Sequence, residues 1–176
     1  MKHIYIAPGH TAISPGAYSG AVGMHEWSYA MHVIADLATK KSRKYRLMVG
    51  QRREGDTEEA LEGLALDADD RGANLYLEVH FNSVSASHPD AHRALMVISS
   101  YAGRRTEAIA SALGACLGPH CIRRMIKSHG GVPLAQLHTT RCPAVLVEVA
   151  NAPLVPRWSI AADMLHAGIL RAIDSM

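Results

Sequence analysis

Leu75-Tyr76-Leu77-Glu78-Val79-His80-Phe81-Asn82-Ser83 alternates strictly between apolar and polar side chains. Side chains of an extended strand point alternately to its two faces, so Leu75, Leu77, Val79 and Phe81 share one face. Tyr76, Glu78, His80 and Asn82 share the other, and the strand closes on a histidine rather than a hydrophobe. In α/β sheets, ligands bind where strands give way to loops at their carboxyl ends. A single histidine in that place is more often structural than chemical. Its meaning depends on what other strand ends deliver.

Working outward, His3–Ala7 reads as a first strand, stopped by Pro8-Gly9 and followed at once by His10. The loop from Thr11 to Gly23 is small, polar and turn-rich, as a site loop would be. Helical spacing predicts a helix over 25–40, with Glu26 at its start and Glu26, Ala30, Val33 and Leu37 on one face. An acid in the first turn complements the helix dipole, which gives Glu26 a purely structural reading beside the chemical one. Tyr45–Val49 is a short second strand and 51–56 a charged loop. Thr57-Glu58-Glu59 opens a second helix that turns Leu61, Leu64, Ala65 and Ala68 inward and ends at Gly72. Arg93–Ile98 is a further strand, and 103–117 a helix. The stretch 120–143 has no clear period. Ala144–Val149 is an apolar strand interrupted only by Glu148, and a buried carboxylate is costly unless it is paired, hydrogen-bonded or near a metal. Ile160, Met164, Ala167, Leu170 and Ile173 predict a closing helix over 153–176.

Composition bounds the rest. The chain has 176 residues, 48% hydrophobic and 19% charged, enough for one domain with a real core. A net charge of +2 is too weak to imply nucleic acid, and Arg52-Arg53, Arg104-Arg105 and Arg123-Arg124 read as scattered, solvated pairs. Three cysteines, Cys116, Cys121 and Cys142, do not suggest a disulfide framework. Cys116, His120, Cys121 and His129 have no paired zinc-hook spacing, so packing is the better reading. No apolar run reaches membrane-spanning length, so no membrane insertion is expected. Met1–Ile6 lacks the apolar core of a signal peptide, and the expectation is synthesis in the cytoplasm without a cleavable export signal.

Alternating strands and helices imply an α/β fold, with a mostly parallel or mixed central sheet and helices on both faces. In that architecture His10, His80 and Glu148 end strands along one edge, and Glu26 can join them. Two imidazoles and a carboxylate make a catalytic zinc set with an open fourth position, and a second carboxylate can take a proton from water there.

Three blocks, Pro8-Gly9-His10 with Pro15-Gly16-Ala17 and Glu26, then Glu78-Val79-His80-Phe81-Asn82-Ser83, then Pro143–Glu148, occur in order. Together they resemble the zinc-dependent N-acetylmuramoyl-L-alanine amidases of the Amidase_3 type, above all the catalytic domains of phage endolysins. The resemblance runs nearly end to end. It implies one amidase catalytic domain over 1–176, with no separate cell-wall-binding domain. It also implies one zinc ion held by His10, Glu26 and His80, Glu148 as the catalytic carboxylate, and peptidoglycan as the substrate. A phage or prophage lysis enzyme reaching the wall after release would fit. The family often carries Asp at the position of Ala7 and a bulky pair after the catalytic acid, where this chain reads Val149-Ala150-Asn151. A zinc peptidase acting on another amide needs the same metal set. A binding module that grips wall fragments without cutting gives no reason to bury Glu148.

Overall fold

The computed structural model describes residues 1–52, 57–125, 128–129 and 132–176. Its centre is a six-stranded sheet in the order β4-β1-β5-β10-β6-β7. These strands are β1 (Lys2–Pro8), β4 (Tyr45–Val49), β5 (Leu75–Asn82), β6 (Ala94–Ser99), β7 (His120–Met125) and β10 (Ala144–Asn151). Two-residue strands pair off the sheet, β2 (Tyr18–Ser19) with β3 (Met24–His25) and β8 (Ser128–His129) with β9 (Val132–Pro133). The helices are α1 (Glu26–Thr39), α2 (Glu58–Asp70), α3 (Arg104–Leu117), α4 (Ala135–Thr139) and α5 (Trp158–Ala172).

β4, β1, β5 and β10 run parallel, whereas β6 is antiparallel to β10 and carries β7 parallel to itself. The sheet is therefore mixed. The inversion matters because it brings the start of β6, and the loop that leads into it, to the edge where β1, β5 and β10 end.

Strand alternation sorts the core into two layers. Leu75, Leu77, Val79 and Phe81 pack with Tyr29, Val33 and Leu37 of α1, Ile109 and Leu113 of α3, and Leu165 and Ile169 of α5. On the opposite face Tyr5, Tyr76, Leu95 and Leu146 meet Leu61 and Leu64 of α2 and Leu137 of α4. Burying large aliphatic and aromatic side chains stabilises by about 1.5–3 kcal/mol each, so these layers dominate the fold. Local signals agree: Thr57 caps α2 by accepting from Ala60 N at 3.2 Å, and Gly72, at φ +67°, turns the chain out of it.

Two expectations need correction. The last helix begins at Trp158 rather than Pro153, because Pro153 falls in a single 3-10 turn and Pro156 holds Val155 in extended backbone. Its buried face is Ala161, Ala162, Leu165, Gly168, Ile169 and Ala172, while Ile160 is 47% exposed. Close approach explains the choice of small residues: a Cβ on Gly168 would stand 3.1 Å from Leu113 Cα of α3. The arginine pairs are not uniformly solvated either. The Arg52 side chain is only 4% exposed and pairs with Glu78, and Arg123 pairs with the buried Asp90; Arg53 lies outside the described residues.

Candidate active site

β1 ends at Pro8, opposite Val79 of β5, and Gly9 N donates to Val79 O at 2.8 Å. The next residue, His10, takes φ +63°, a left-handed conformation uncommon for any residue but glycine. That turn sends its ring back toward the sheet edge, where Nε2 lies 3.3 Å from Glu26 Oε2. Glycine at 9 is required by the neighbouring strand, since a Cβ there would fall 2.2–2.5 Å from the His80 imidazole.

Glu26 is the first residue of α1 and is 4% exposed. The site loop feeds the helix start: Ala17 O accepts from Glu26 N at 2.9 Å and Pro15 O from Trp27 N at 3.0 Å. These carbonyls satisfy donors that a helix N-terminus leaves open. The carboxylate in turn meets His80 Nδ1 at 2.7 Å and accepts from Phe81 N at 3.3 Å. Burial alone would raise its pKa, but the hydrogen bonds to His10 and His80 override that and hold it at about 2.

His80 and Glu148 are register partners on β5 and β10 and point the same way. Glu148 is 5% exposed, and burial, reinforced by the charge of Glu26 and opposed by His80 and His10, pushes its carboxyl up to about 7. A carboxyl with that value can both take and return a proton near neutrality.

Behind His80 stands a carboxylate that the alternation of the strand placed on this face without marking it. Glu78 is fully buried, and its oxygens accept from Arg52, from Tyr76 OH at 2.8 Å, from Gln136 Nε2 at 2.7 Å and from His80 Nε2 at 3.1 Å. Burial opposes its ionisation, but the Arg52 charge and these bonds hold its pKa at about 2. Sequence alone does not mark Glu78, because it sits on the polar face of an alternating strand, where an acid reads as solvent-facing, whereas Glu148 interrupts an apolar run.

The four residues edge a cavity of about 470 Å³, whose far wall includes Val84, His88, Asp90 and Arg123. Asn151, at the end of β10, builds that wall. Its Oδ1 accepts from Val84 N at 2.9 Å, and its Nδ2 donates to Val84 O at 3.1 Å. The side chain thus acts as a short piece of strand that holds Val84 in place at the cavity.

His10, Glu26 and His80 each present one ligand atom, and all three lie within 4.8 Å of one another. Two imidazoles and an ionised carboxylate are the donors expected of a borderline-soft divalent cation. The backbone makes the space: a Cβ on Gly16, itself at φ +75°, would stand 2.6 Å from His10 Cδ2 and 2.8 Å from Glu26 Oε2. The donor set and its cradle fit a metal ion. Cys116, His120 and Cys121 form no such group among the described residues, and the side chain of His129 lies outside them; Cys121 instead lies with its Sγ 3.5 Å from Asp90 Oδ1.

The geometry agrees with a comparison of the whole sequence with known families. Residues 4–152 match the Amidase_3 family, N-acetylmuramoyl-L-alanine amidase. The chain belongs to the N-acetylmuramoyl-L-alanine amidase family. Solved amidases share its fold. The catalytic domain of CwlV from Bacillus (Paenibacillus) polymyxa var. colistinus superposes with a TM-score of 0.73 at 21% identity, over 100% of both chains. The amidase of Clostridium difficile 630 does so at 0.73 and 17% identity, covering 98% of this chain and 97% of that one. The catalytic domain of the CD27L endolysin, which targets Clostridia difficile, gives 0.69 at 16% identity, covering 99% and 95%. No curated protein sequence matches the chain. The matched span of this amidase contains all four residues singled out from its sequence, and the fold gathers all four. Glu78, Arg52, Asp90 and the clamping role of Asn151 come from the structure alone. No helix of the described residues is long and apolar enough to cross a membrane, and Cys116, Cys121 and Cys142 are free.

Proposed function

We propose that this amidase cuts the amide between the lactyl group of N-acetylmuramic acid and L-alanine with one zinc ion held by His10, Glu26 and His80, and with Glu148 as its general base. The observation that carries the reading is Glu148 itself: a buried acid, beside His80 on the neighbouring strand, held near neutrality and edging a cavity. Zinc in such a set polarises a carbonyl and lowers the pKa of its water to about 7. Glu148 takes the proton of the attacking water and then returns it to the departing amine of L-alanine. Glu26, kept ionised, supplies charge without competing for that proton. The cavity wall at Val84 and His88 seats the substrate against Glu148. The setting we propose is cell lysis, on the likeness of the three sequence blocks to phage endolysin catalytic domains.

Purified peptidoglycan tests the reading. Digestion should release stem peptides with new L-alanine amino termini and leave lactyl carboxylates on intact glycan. New reducing ends, or cuts confined to the peptide, would move the enzyme to another class. Cuts within the peptide would favour the zinc peptidase reading, which uses the same metal set.

A further inference from the structure

We propose that Glu78 is a positioning residue that fixes the His80 imidazole for metal binding; this rests on the zinc reading of the site. The ring has two nitrogens in different surroundings. Nδ1 faces Glu26 at 2.7 Å, on the side where Glu26 also receives His10 Nε2. Nε2 faces Glu78 Oε1 at 3.1 Å, away from that meeting point. A neutral imidazole carries its proton on one nitrogen and a lone pair on the other, and the hydrogen bond made by one decides which. With Nε2–H given to Glu78, the lone pair of Nδ1 points at Glu26 and His10.

Glu78 is suited to this task and to no step of the reaction. Arg52 and His80 take Oε1, while Tyr76 and Gln136 take Oε2, so its acceptor positions are filled by protein. Tyr76 lies two residues before it on the same strand face, stacked on Tyr5 with ring centroids 5.6 Å apart, so the donor that aims Glu78 is itself held by the core. Arg52 comes from the loop after β4 and Gln136 from α4, so separate parts of the chain converge on this carboxylate. If Glu78 served only as the partner of Arg52, its loss would weaken the fold and leave metal affinity unchanged. A carboxylate that orients a metal-bound histidine is instead worth about 10–100-fold in metal affinity.

The experiment measures zinc affinity of the metal-free, full-length protein by competition with a chromophoric chelator, with the melting temperature of each metal-free sample recorded alongside. The variants are Glu78→Gln and the double change Arg52→Met with Glu78→Gln, in which no buried charge is left alone. Both should hold zinc about 10–100-fold more weakly per folded molecule. A folded variant that loses less than about fivefold overturns the proposal, because that is the result for a carboxylate that serves only the fold. Nitrogen-15 NMR of the zinc-loaded parent gives an answer independent of any variant: His80 should carry its proton on Nε2, and a proton on Nδ1 overturns the assignment. A parent that binds no zinc removes the reading of the site along with this inference, whereas a zinc-binding parent with equally tight Glu78 variants removes this inference alone.

Discussion

Glu148 stands directly across from His80 on the adjacent parallel strand, so the acid and the imidazole share one face at one level of the sheet. Substitution at this pair separates chemistry from assembly. Glu148→Gln preserves size and should keep the fold and most of the metal. Turnover on peptidoglycan should fall by about 10²–10⁴-fold, the usual worth of a positioned acid–base group. Muropeptide release, zinc content and melting temperature on one sample check this. Near-normal release by zinc-loaded Glu148→Gln would remove Glu148 from the mechanism, and parallel loss of zinc would make it a ligand. His80→Ala, by contrast, should lose metal and activity together.

Zinc uptake should expel protons. Burial opposes the charge on His80, yet the bonds to Glu26 and Glu78 raise its pKa to about 10 in the metal-free protein. A ligand must be deprotonated to bind, so zinc competes with that proton over the whole range below the raised value. Apparent affinity should therefore climb with pH by up to about tenfold per unit for each proton displaced, and level off above the His80 value. Stability without metal runs the other way: the charged His80 stabilises the fold fully below the ordinary 6.5, and this is lost as pH rises through about 10. Calorimetry in buffers of different ionisation enthalpy counts the protons. Uptake with no proton release at pH 8 would contradict the pairing of His80 with the two carboxylates.

Gly16→Ala should damage the site far more than the core. The new Cβ meets both His10 and Glu26, and its backbone lies in the left-handed region, where a side chain costs about 1–2 kcal/mol. Zinc retention should drop sharply while far-ultraviolet dichroism is unchanged. Full zinc occupancy with full activity in this variant would show that the cradle is not as tight as described.

Gly168→Val addresses the opposite end of the molecule. Overpacking at the crossing of α5 with α3 should cost about 1–3 kcal/mol, read as a lower denaturant midpoint, with zinc content per folded molecule preserved. No change in midpoint would mean that the helices can separate freely at this point.

Much of this was legible beforehand because it depends on period and position. The alternation of 75–82 fixes which side chains share a face, and helical spacing does the same for Glu26 with Ala30, Val33 and Leu37. Pro8-Gly9 and the acid in an apolar strand mark His10 and Glu148 without any long-range information. What stayed hidden depends on partners far apart in the chain. Arg52 reads as a surface charge until Glu78, 26 positions on, is placed against it. Asn151 reads as loop until Val84, 67 positions away, lies alongside. The buried face of α5 is not legible from its large apolar residues, which are the usual sign of burial. Here the tight crossing selects alanine and glycine.

The side-chain clamp of Asn151 on Val84 has a mechanical consequence. β10 carries Glu148 and, after a register irregularity, Asn151, so the proposed general base and the residue that clamps Val84 lie three residues apart on one strand. The end of β10 is thereby tethered, through the two hydrogen bonds of Asn151, to the chain at Val84, so the strand that presents Glu148 and one edge of the cavity are a single hydrogen-bonded unit.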